Sequence, residues 1–148
     1  MSLKEKMQAD LLEATRNKDE IRRSTLRLLK SSILNAEKGK RRILSDEEVV
    51  EVLFREIKSR KESIAEFRKG NRADLVDREE AELAVVQSYM PQQMSREEIT
   101  RAAQQVIGEI GAEGPSDTGK VMGRLMPQLR GKADGKEVNE VVAELLSA

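Results

Sequence analysis

The feature that most constrains the fold is a helical spacing of apolar residues that recurs along the whole chain. The first such face consists of Leu3, Met7, Leu11 and Ala14, and similar faces follow at intervals of three, four and seven residues. This spacing places side chains on one side of an α-helix, whereas a half-buried strand requires strict alternation. No strand pattern competes with it, so the sequence predicts an all-α protein.

Polar residues mark the starts of several predicted helices. In a capping box, the side chain of the first residue accepts a hydrogen bond from the backbone N–H three residues later. The acidic side chain of that later residue in turn accepts the backbone N–H of the first residue. Three pairs have this spacing: Ser45–Glu48, Ser95–Glu98 and Asp134–Glu137. Caps at these positions agree with the apolar periods that follow them, which strengthens the helical prediction.

Caps and helix breakers divide the chain into seven predicted helices. Gly39 is expected to end the second helix, Asp74 to cap the fourth and Pro91 to end it. The segment MPQQMS (90–95) is interpreted as a domain boundary. We predict an N-terminal four-helix domain over residues 1–91 and a C-terminal three-helix domain over residues 95–148.

Composition narrows the classes of function. The chain has 27 basic and 27 acidic residues, so a uniformly basic nucleic-acid-binding protein is excluded, although a local basic patch is not. It has no cysteine and no histidine. Disulfide and thiolate chemistry are therefore excluded, and the commonest general base and transition-metal ligand are missing. We expect no catalytic residue, no metal site and no cofactor.

The first residues and the longest apolar runs bear on location. No apolar run has the length of a membrane-spanning helix. The opening segment MSLKEKMQADLLEA mixes charge into its first turns and lacks the apolar centre of a secretory signal. We therefore expect a soluble cytoplasmic protein with no membrane partner, and the oligomeric state is left open.

One stretch near the C-terminus combines glycine with positive charge at helical spacing. Gly119 and Gly123 share a helix face that Pro127 continues, and Lys120 and Arg124 form the adjacent stripe. Glycine in a helix interior is less favourable than alanine by about 1 kcal/mol, which indicates that something approaches the backbone closely. Two interpretations stay open: another helix packs on the glycines, or the surface binds an anion.

The turn RGKADG that follows adds further positive charge. Arg130 and Lys132 precede a predicted helix start, where free backbone N–H groups and the helix dipole favour an anion. Asp134 is predicted to cap that helix, and its carboxylate competes with any bound anion. Asn139 is predicted either to hydrogen-bond the loop 131–135 or to face a ligand.

Other charged segments are interpreted as solvated surface. The basic loop KGKRR (38–42) is interpreted as solvated, with a contribution to an RNA-binding surface as the alternative. Glu56 and Arg60 are four residues apart, the spacing of a helix-surface ion pair. Phe67 and Tyr89 are predicted to be core residues rather than platforms on which a base stacks.

Several separated motifs together resemble one family. The stretch GKVMGRLMPQLRGKADGKEVNEVVAELL (119–146) resembles the tail motif of the GatB/YqeY family. It is similar to the C-terminal domain of the GatB subunit of glutamyl/aspartyl-tRNA amidotransferase. The N-terminal half is similar to free-standing YqeY-like proteins through STLRLLKSSILNAE, SRKESIAEFRKGNRADL and SYMPQQMS. The resemblance implies an all-helical, two-domain fold and a tail domain that contacts tRNA.

The resemblance also implies which positions contact RNA. Carried over to this chain, they are Gly119, Lys120, Gly123, Arg124, Gly131, Lys132, Asp134 and Asn139. Arg130 joins them from the charge of the turn. We therefore expect a non-catalytic module that binds tRNA or associates with a tRNA amidotransferase, with a tRNA-modifying or aminoacylating enzyme as a further partner. The alternatives are a protein-interaction module and, by family resemblance only, a carbon–nitrogen ligase with glutamine as amide donor.

Overall fold

The computed structural model describes residues 1–147, which form seven α-helices and one short 3₁₀ turn with no strand among them. The prediction of an all-α protein is confirmed. The chain divides into two compact units, Met1–Met90 and Pro91–Ala148. That each unit folds as an independent domain stays a prediction. No helix within residues 1–147 combines the length and apolar character needed to cross a membrane.

The N-terminal unit is built from four helices around an aliphatic core. They are α1 (Leu3–Arg16), α2 (Glu20–Lys40), α3 (Asp46–Lys69) and α4 (Ala73–Gln87). Each of the four helices contributes apolar residues to this core, although Leu28, which was predicted on the buried face of α2, is exposed. The core side chains are Met7, Leu26, Leu29, Ile33, Leu44, Val49, Val52, Leu53, Val86 and Tyr89. Removing this apolar surface from water is the main term that holds the four helices together.

The C-terminal unit is smaller and has three α-helices. They are α5 (Arg96–Ile110), α6 (Thr118–Leu129) and α7 (Gly135–Ser147), and the 3₁₀ turn Pro115–Asp117 precedes α6. One face of each helix is buried in a shared core. Its members are Ile99, Ala103, Val106, Val121, Leu125, Leu129, Ala133, Val138, Val141, Val142 and Leu146. The opposite faces are exposed, including that of α6, which carries Gly119, Lys120, Gly123 and Arg124.

Both predicted serine capping boxes are present. Ser45 Oγ accepts the backbone N–H of Glu48 at 3.3 Å, while the Glu48 carboxylate accepts the N–H of Ser45 at 3.1 Å. Ser95 and Glu98 form the same reciprocal pair at 3.2 and 3.4 Å. These bonds satisfy backbone donors that a helix start otherwise leaves unpaired, so α3 and α5 begin where the sequence predicts.

Two predicted helix boundaries are wrong. The α2 helix continues through Gly39 and ends at Lys40, and the next residue, Arg41, caps it with a left-handed φ of 58°. Asp74 lies inside the first turn of α4 and pairs with Arg72 at 3.1 Å instead of capping the helix. Glycine and aspartate are local signals, and several neighbouring positions can satisfy the same requirement. Which of them does so depends on how the loop packs.

Arg60 is buried, which corrects its interpretation as solvated surface. Only 7% of the residue is exposed. Its Nη1 donates to Glu82 at 2.6 Å and to Glu79 at 3.4 Å, so the ion pair joins α3 to α4. The predicted partner, Glu56, instead accepts a hydrogen bond from Ser32 of α2 at 3.0 Å. Packing between helices therefore redirects a charge that sequence spacing assigns to its own helix.

Tyr89 joins the end of the N-terminal unit to its first helix. It is buried, as predicted, and its hydroxyl donates to Asp10 Oδ2 at 2.5 Å. Arg22 of α2 lies 3.4 Å from the same carboxylate. Burial, and next the hydrogen bond to Asp10, raises the pKa of Tyr89 to about 12. The phenol therefore stays neutral and continues to donate throughout the physiological range.

Candidate nucleic-acid interface

The sixth helix has one buried and one exposed side. Val121, Leu125 and Leu129 pack into the core of the C-terminal unit. Six exposed residues, which we call the α6 face, cover the other side: Gly119, Lys120, Gly123, Arg124, Pro127 and Gln128. The structure thus brings two of the candidate cations and both glycines of α6 together on one exposed surface.

No residue of the described part of the C-terminal unit packs on the glycines of the α6 face. A Cβ built on either Gly119 or Gly123 meets no heavy atom within 4 Å. The interpretation that these glycines admit another helix is therefore wrong for the helices of the C-terminal unit. Pro127 also offers no N–H to the carbonyl of Gly123, four residues earlier. At these two glycines the α6 face consequently presents backbone that no side chain covers, flanked by the side chains of Lys120 and Arg124.

Each cation of the α6 face has a loosely held acidic neighbour. Lys120 Nζ lies 3.8 Å from Asp117 Oδ1, and Arg124 Nη2 lies 3.3 Å from Glu109 Oε2 of α5. The two cationic side chains are 79% and 56% exposed. Ion pairs this exposed contribute about 0–1 kcal/mol, so a phosphate can replace either acid at small cost. Sequence reasoning missed Glu109, because only the packing of α5 against α6 brings it near Arg124.

Two residues of the MPQQMS segment hold the turn between α6 and α7. Gln93 Nε2 donates to the carbonyl of Gly131 at 3.0 Å, and the backbone N–H of Met94 donates to the carbonyl of Lys132 at 2.8 Å. Gly131 is buried and has a φ of 82°, a conformation that glycine adopts without steric strain. Gly131 therefore shapes the turn, while Arg130 and Lys132 remain exposed.

The start of α7 holds the last two candidate residues. Asp134 Oδ1 accepts the backbone N–H of Lys136 at 3.4 Å, so the protein's own carboxylate lies where an anion would bind the helix start. Asn139 is exposed, and its side chain forms no hydrogen bond with another residue of the range 1–147. Of the two roles considered for Asn139, the hydrogen bond to the loop is therefore not formed.

The basic loop after α2 has two of its cations engaged within the protein. Arg42 donates to both carboxylate oxygens of Glu48 at 2.6 and 2.7 Å, and Lys40 Nζ lies 2.7 Å from the same group. The hydrogen bonds from these two side chains hold the pKa of Glu48 well below its usual range, and the bond from Arg42 has the larger effect. These two cations brace the start of α3, so the loop contributes less free positive charge than its sequence indicates.

Comparison with known proteins places the chain in a family. The family model described as Yqey-like protein matches residues 4–146. The chain belongs to the Yqey-like family. The resemblance read from the separated motifs of both halves is thereby confirmed.

Individual relatives differ in how much of the chain they share. A protein of Pyrenophora tritici-repentis named "Altered inheritance of mitochondria protein 41, mitochondrial" is 34% identical over 97% of this chain and 80% of its own length. A protein of the same name from Lachancea thermotolerans is 36% identical over 74% of the chain and 60% of its own length. A glutamyl-tRNA(Gln) amidotransferase subunit of Aeropyrum pernix is 44% identical over 34% of the chain but only 8% of its own length.

These names correct one expectation about location. The expectation of a cytoplasmic protein is contradicted, because relatives that match 97% and 74% of the chain are named mitochondrial. That expectation rested on the missing apolar centre of a secretory signal. Secretory signals are distinct from mitochondrial targeting segments, so their absence does not discriminate between the cytoplasm and the mitochondrion.

Proposed function

We propose that this Yqey-like chain is a non-catalytic helical module that binds tRNA, or associates with a tRNA amidotransferase, through the α6 face and the turn after it. The observation that carries the proposal is the exposed backbone at Gly123 beside Lys120 and Arg124. Glycine inside a helix is unfavourable by about 1 kcal/mol relative to alanine. No contact among residues 1–147 accounts for Gly123, and the two cations beside it distinguish this glycine from the equally exposed Gly108, so we infer that a partner approaches the backbone here.

The chemistry of the surface suits a sugar–phosphate backbone. Lys120 and Arg124 on α6, with Arg130 and Lys132 in the turn, supply four exposed cations. Arginine can bind a phosphate through two parallel hydrogen bonds, and lysine provides a compact point charge. The carbonyl of Gly123, which lacks a helical donor, can accept a hydrogen bond from a ribose 2′-hydroxyl. Recognition of this kind reads the shape of RNA more than its base sequence.

The relatives support the class of partner. One is named as a component of a glutamyl-tRNA(Gln) amidotransferase, which favours tRNA and enzymes of aminoacylation over other nucleic acids as partners. The chain spans only 8% of that relative, so we propose an association and transfer none of its activity. A carbon–nitrogen ligase with glutamine as amide donor is an alternative by resemblance. Ammonia release from glutamine by the purified chain, abolished by a point mutation, would favour that alternative.

The salt dependence of tRNA binding tests the proposal. If four cations each neutralise one phosphate, the logarithm of affinity falls against the logarithm of salt with a slope of about −3 to −4. The variant Lys120→Gln/Arg124→Gln should bind tRNA more weakly, and the magnitude of its salt slope should be smaller by about two. A matched control is Lys58→Gln/Lys61→Gln, which removes two cations from α3 and should leave binding unchanged. Wild-type affinity that ignores salt contradicts the RNA proposal and favours a protein partner.

A further inference from the structure

An apolar groove runs between α1 and α2 in the N-terminal unit. Its volume is about 270 Å³. Met7, Leu26 and Ile33 form its buried floor, and Leu34 lies at its α2 edge with 48% of its surface exposed. An exposed leucine continuous with an apolar depression is a feature of surfaces that bind another molecule. The tRNA proposal uses none of these residues.

Three cations lie on α2 beside the exposed leucine of the groove, and one of them, Lys30, lines the groove itself. Arg27, Lys30 and Lys38 share the outer face of α2 with Leu34, since these four positions span about 80° at 3.6 residues per turn. None of the three cations forms an ion pair with another residue of the range 1–147. Ten other lysines and arginines of this unit do form ion pairs. They are Lys4, Arg22, Arg23, Lys40, Arg42, Arg60, Arg68, Lys69, Arg72 and Arg78.

The carboxylates of the groove do not neutralise these three cations. The Glu37 carboxylate lies 2.8 Å from Lys4 Nζ and accepts the backbone N–H of Leu44 at 2.9 Å. Both contacts lower the pKa of Glu37, and the hydrogen bond from Lys4 has the larger effect. Glu5 lies on α1, at the other edge of the groove. The groove is therefore polarised across its width, with unpaired positive charge along α2 and a carboxylate on α1.

We propose that this groove binds an amphipathic helix of a partner protein, with its apolar face on Leu34 and an acidic flank along Arg27, Lys30 and Lys38. A helix presents anchors at intervals of three, four and seven residues, which is also the spacing of the α2 residues it meets. Charge complementarity favours this occupant, because one acidic flank of the partner helix pairs with the three cations of α2. The same pairing sets the orientation of the partner helix across the groove. The proposal stands independently of tRNA binding.

Nuclear magnetic resonance of the isotope-labelled full chain tests the proposal with two synthetic peptides. Both are amphipathic helices of about 18 residues, roughly five turns, with the same leucine face. One carries glutamate along a flank, and the other carries lysine at the same positions. The glutamate peptide should shift the amide signals of α1 and α2 and bind about tenfold more tightly than the lysine peptide. The variant Arg27→Glu/Lys30→Glu should reverse that preference.

An exposed leucine elsewhere on α2 provides the matched control. Leu28 is 49% exposed, close to the 48% of Leu34, but does not line the groove. Leu34→Asp should weaken the glutamate peptide about tenfold or more, whereas Leu28→Asp should not. The proposal is overturned if the glutamate peptide causes no shifts at millimolar concentration, or if both aspartate variants weaken it equally. Binding to anionic vesicles that requires Leu34 and excludes the peptide would instead assign the groove to lipid. Self-association with the same two properties would assign it to a second copy of the chain.

Discussion

Replacing Gly123 by leucine tests the central physical argument about the α6 face. Had the glycine faced another helix, leucine would overpack that contact and destabilise the protein by about 1–3 kcal/mol. Because a Cβ at this position meets no heavy atom within 4 Å, only helix propensity remains. Leucine is nearly as favourable as alanine, and glycine is worse by about 1 kcal/mol. We therefore expect Gly123→Leu to raise the free energy of unfolding by about 0.5–1 kcal/mol.

The measurement combines stability with RNA binding. A gain of this size raises the melting temperature of a unit this small by about 2–8 °C, as followed by far-UV circular dichroism. Gly108→Leu on α5 is the matched control, because Gly108 is also an exposed helical glycine with no atom within 4 Å of its Cβ. Both variants should be more stable than the wild type. Only Gly123→Leu should lose tRNA affinity, because its side chain holds a phosphate backbone away from α6.

Two results would refute different steps of this reasoning. If Gly123→Leu lowers the free energy of unfolding by 1 kcal/mol or so, which is the sign that overpacking predicts, a neighbour packs on the glycine in solution. If the variant is more stable but binds tRNA like the wild type, the α6 face is not the RNA surface. The control separates a general effect of an added leucine from an effect at this face.

Two contacts and one connecting segment give further predictions. Tyr89 is the only tyrosine, so tyrosinate absorbance reports it alone and should titrate with a pKa of about 12. Because this pKa is raised above the unfolded value near 10, the contribution of Tyr89 to stability is complete below about pH 10 and is lost as pH rises towards 12. Titration near 10 in the folded protein would contradict the burial of the phenol and its bond to Asp10. Arg60→Met should lower the free energy of unfolding of the N-terminal unit by about 2–3 kcal/mol in urea, because Glu82 stays partly buried without its closest partner. The double variant Arg60→Met/Glu82→Leu removes both charges and should recover most of that loss. Limited proteolysis should cut within residues 91–95 and leave two helical fragments, whereas fragments without helical structure would refute independent domains.

The sequence by itself determined the features that depend on neighbours within one or two helical turns. Apolar periods identified the buried face of α6, and the boxes at Ser45 and Ser95 marked two helix starts, because a capping bond spans only three residues. The same locality explains why Gly119 and Gly123 were placed on one face. The family could also be read from the sequence, because its motifs are segments that keep their order along the chain.

Only the tertiary structure decided what those faces meet. Spacing could not say whether Gly123 lies against a helix or against water, since both arrangements require the same residue. Nor could it pair Arg124 with Glu109, bury Arg60 against Glu82, or let Gln93 hold the turn at Gly131. These contacts join residues that are distant in sequence, and helix packing alone sets their separation in space. A charge is therefore visible in the sequence, whereas its freedom to bind a partner depends on what the fold has already placed beside it.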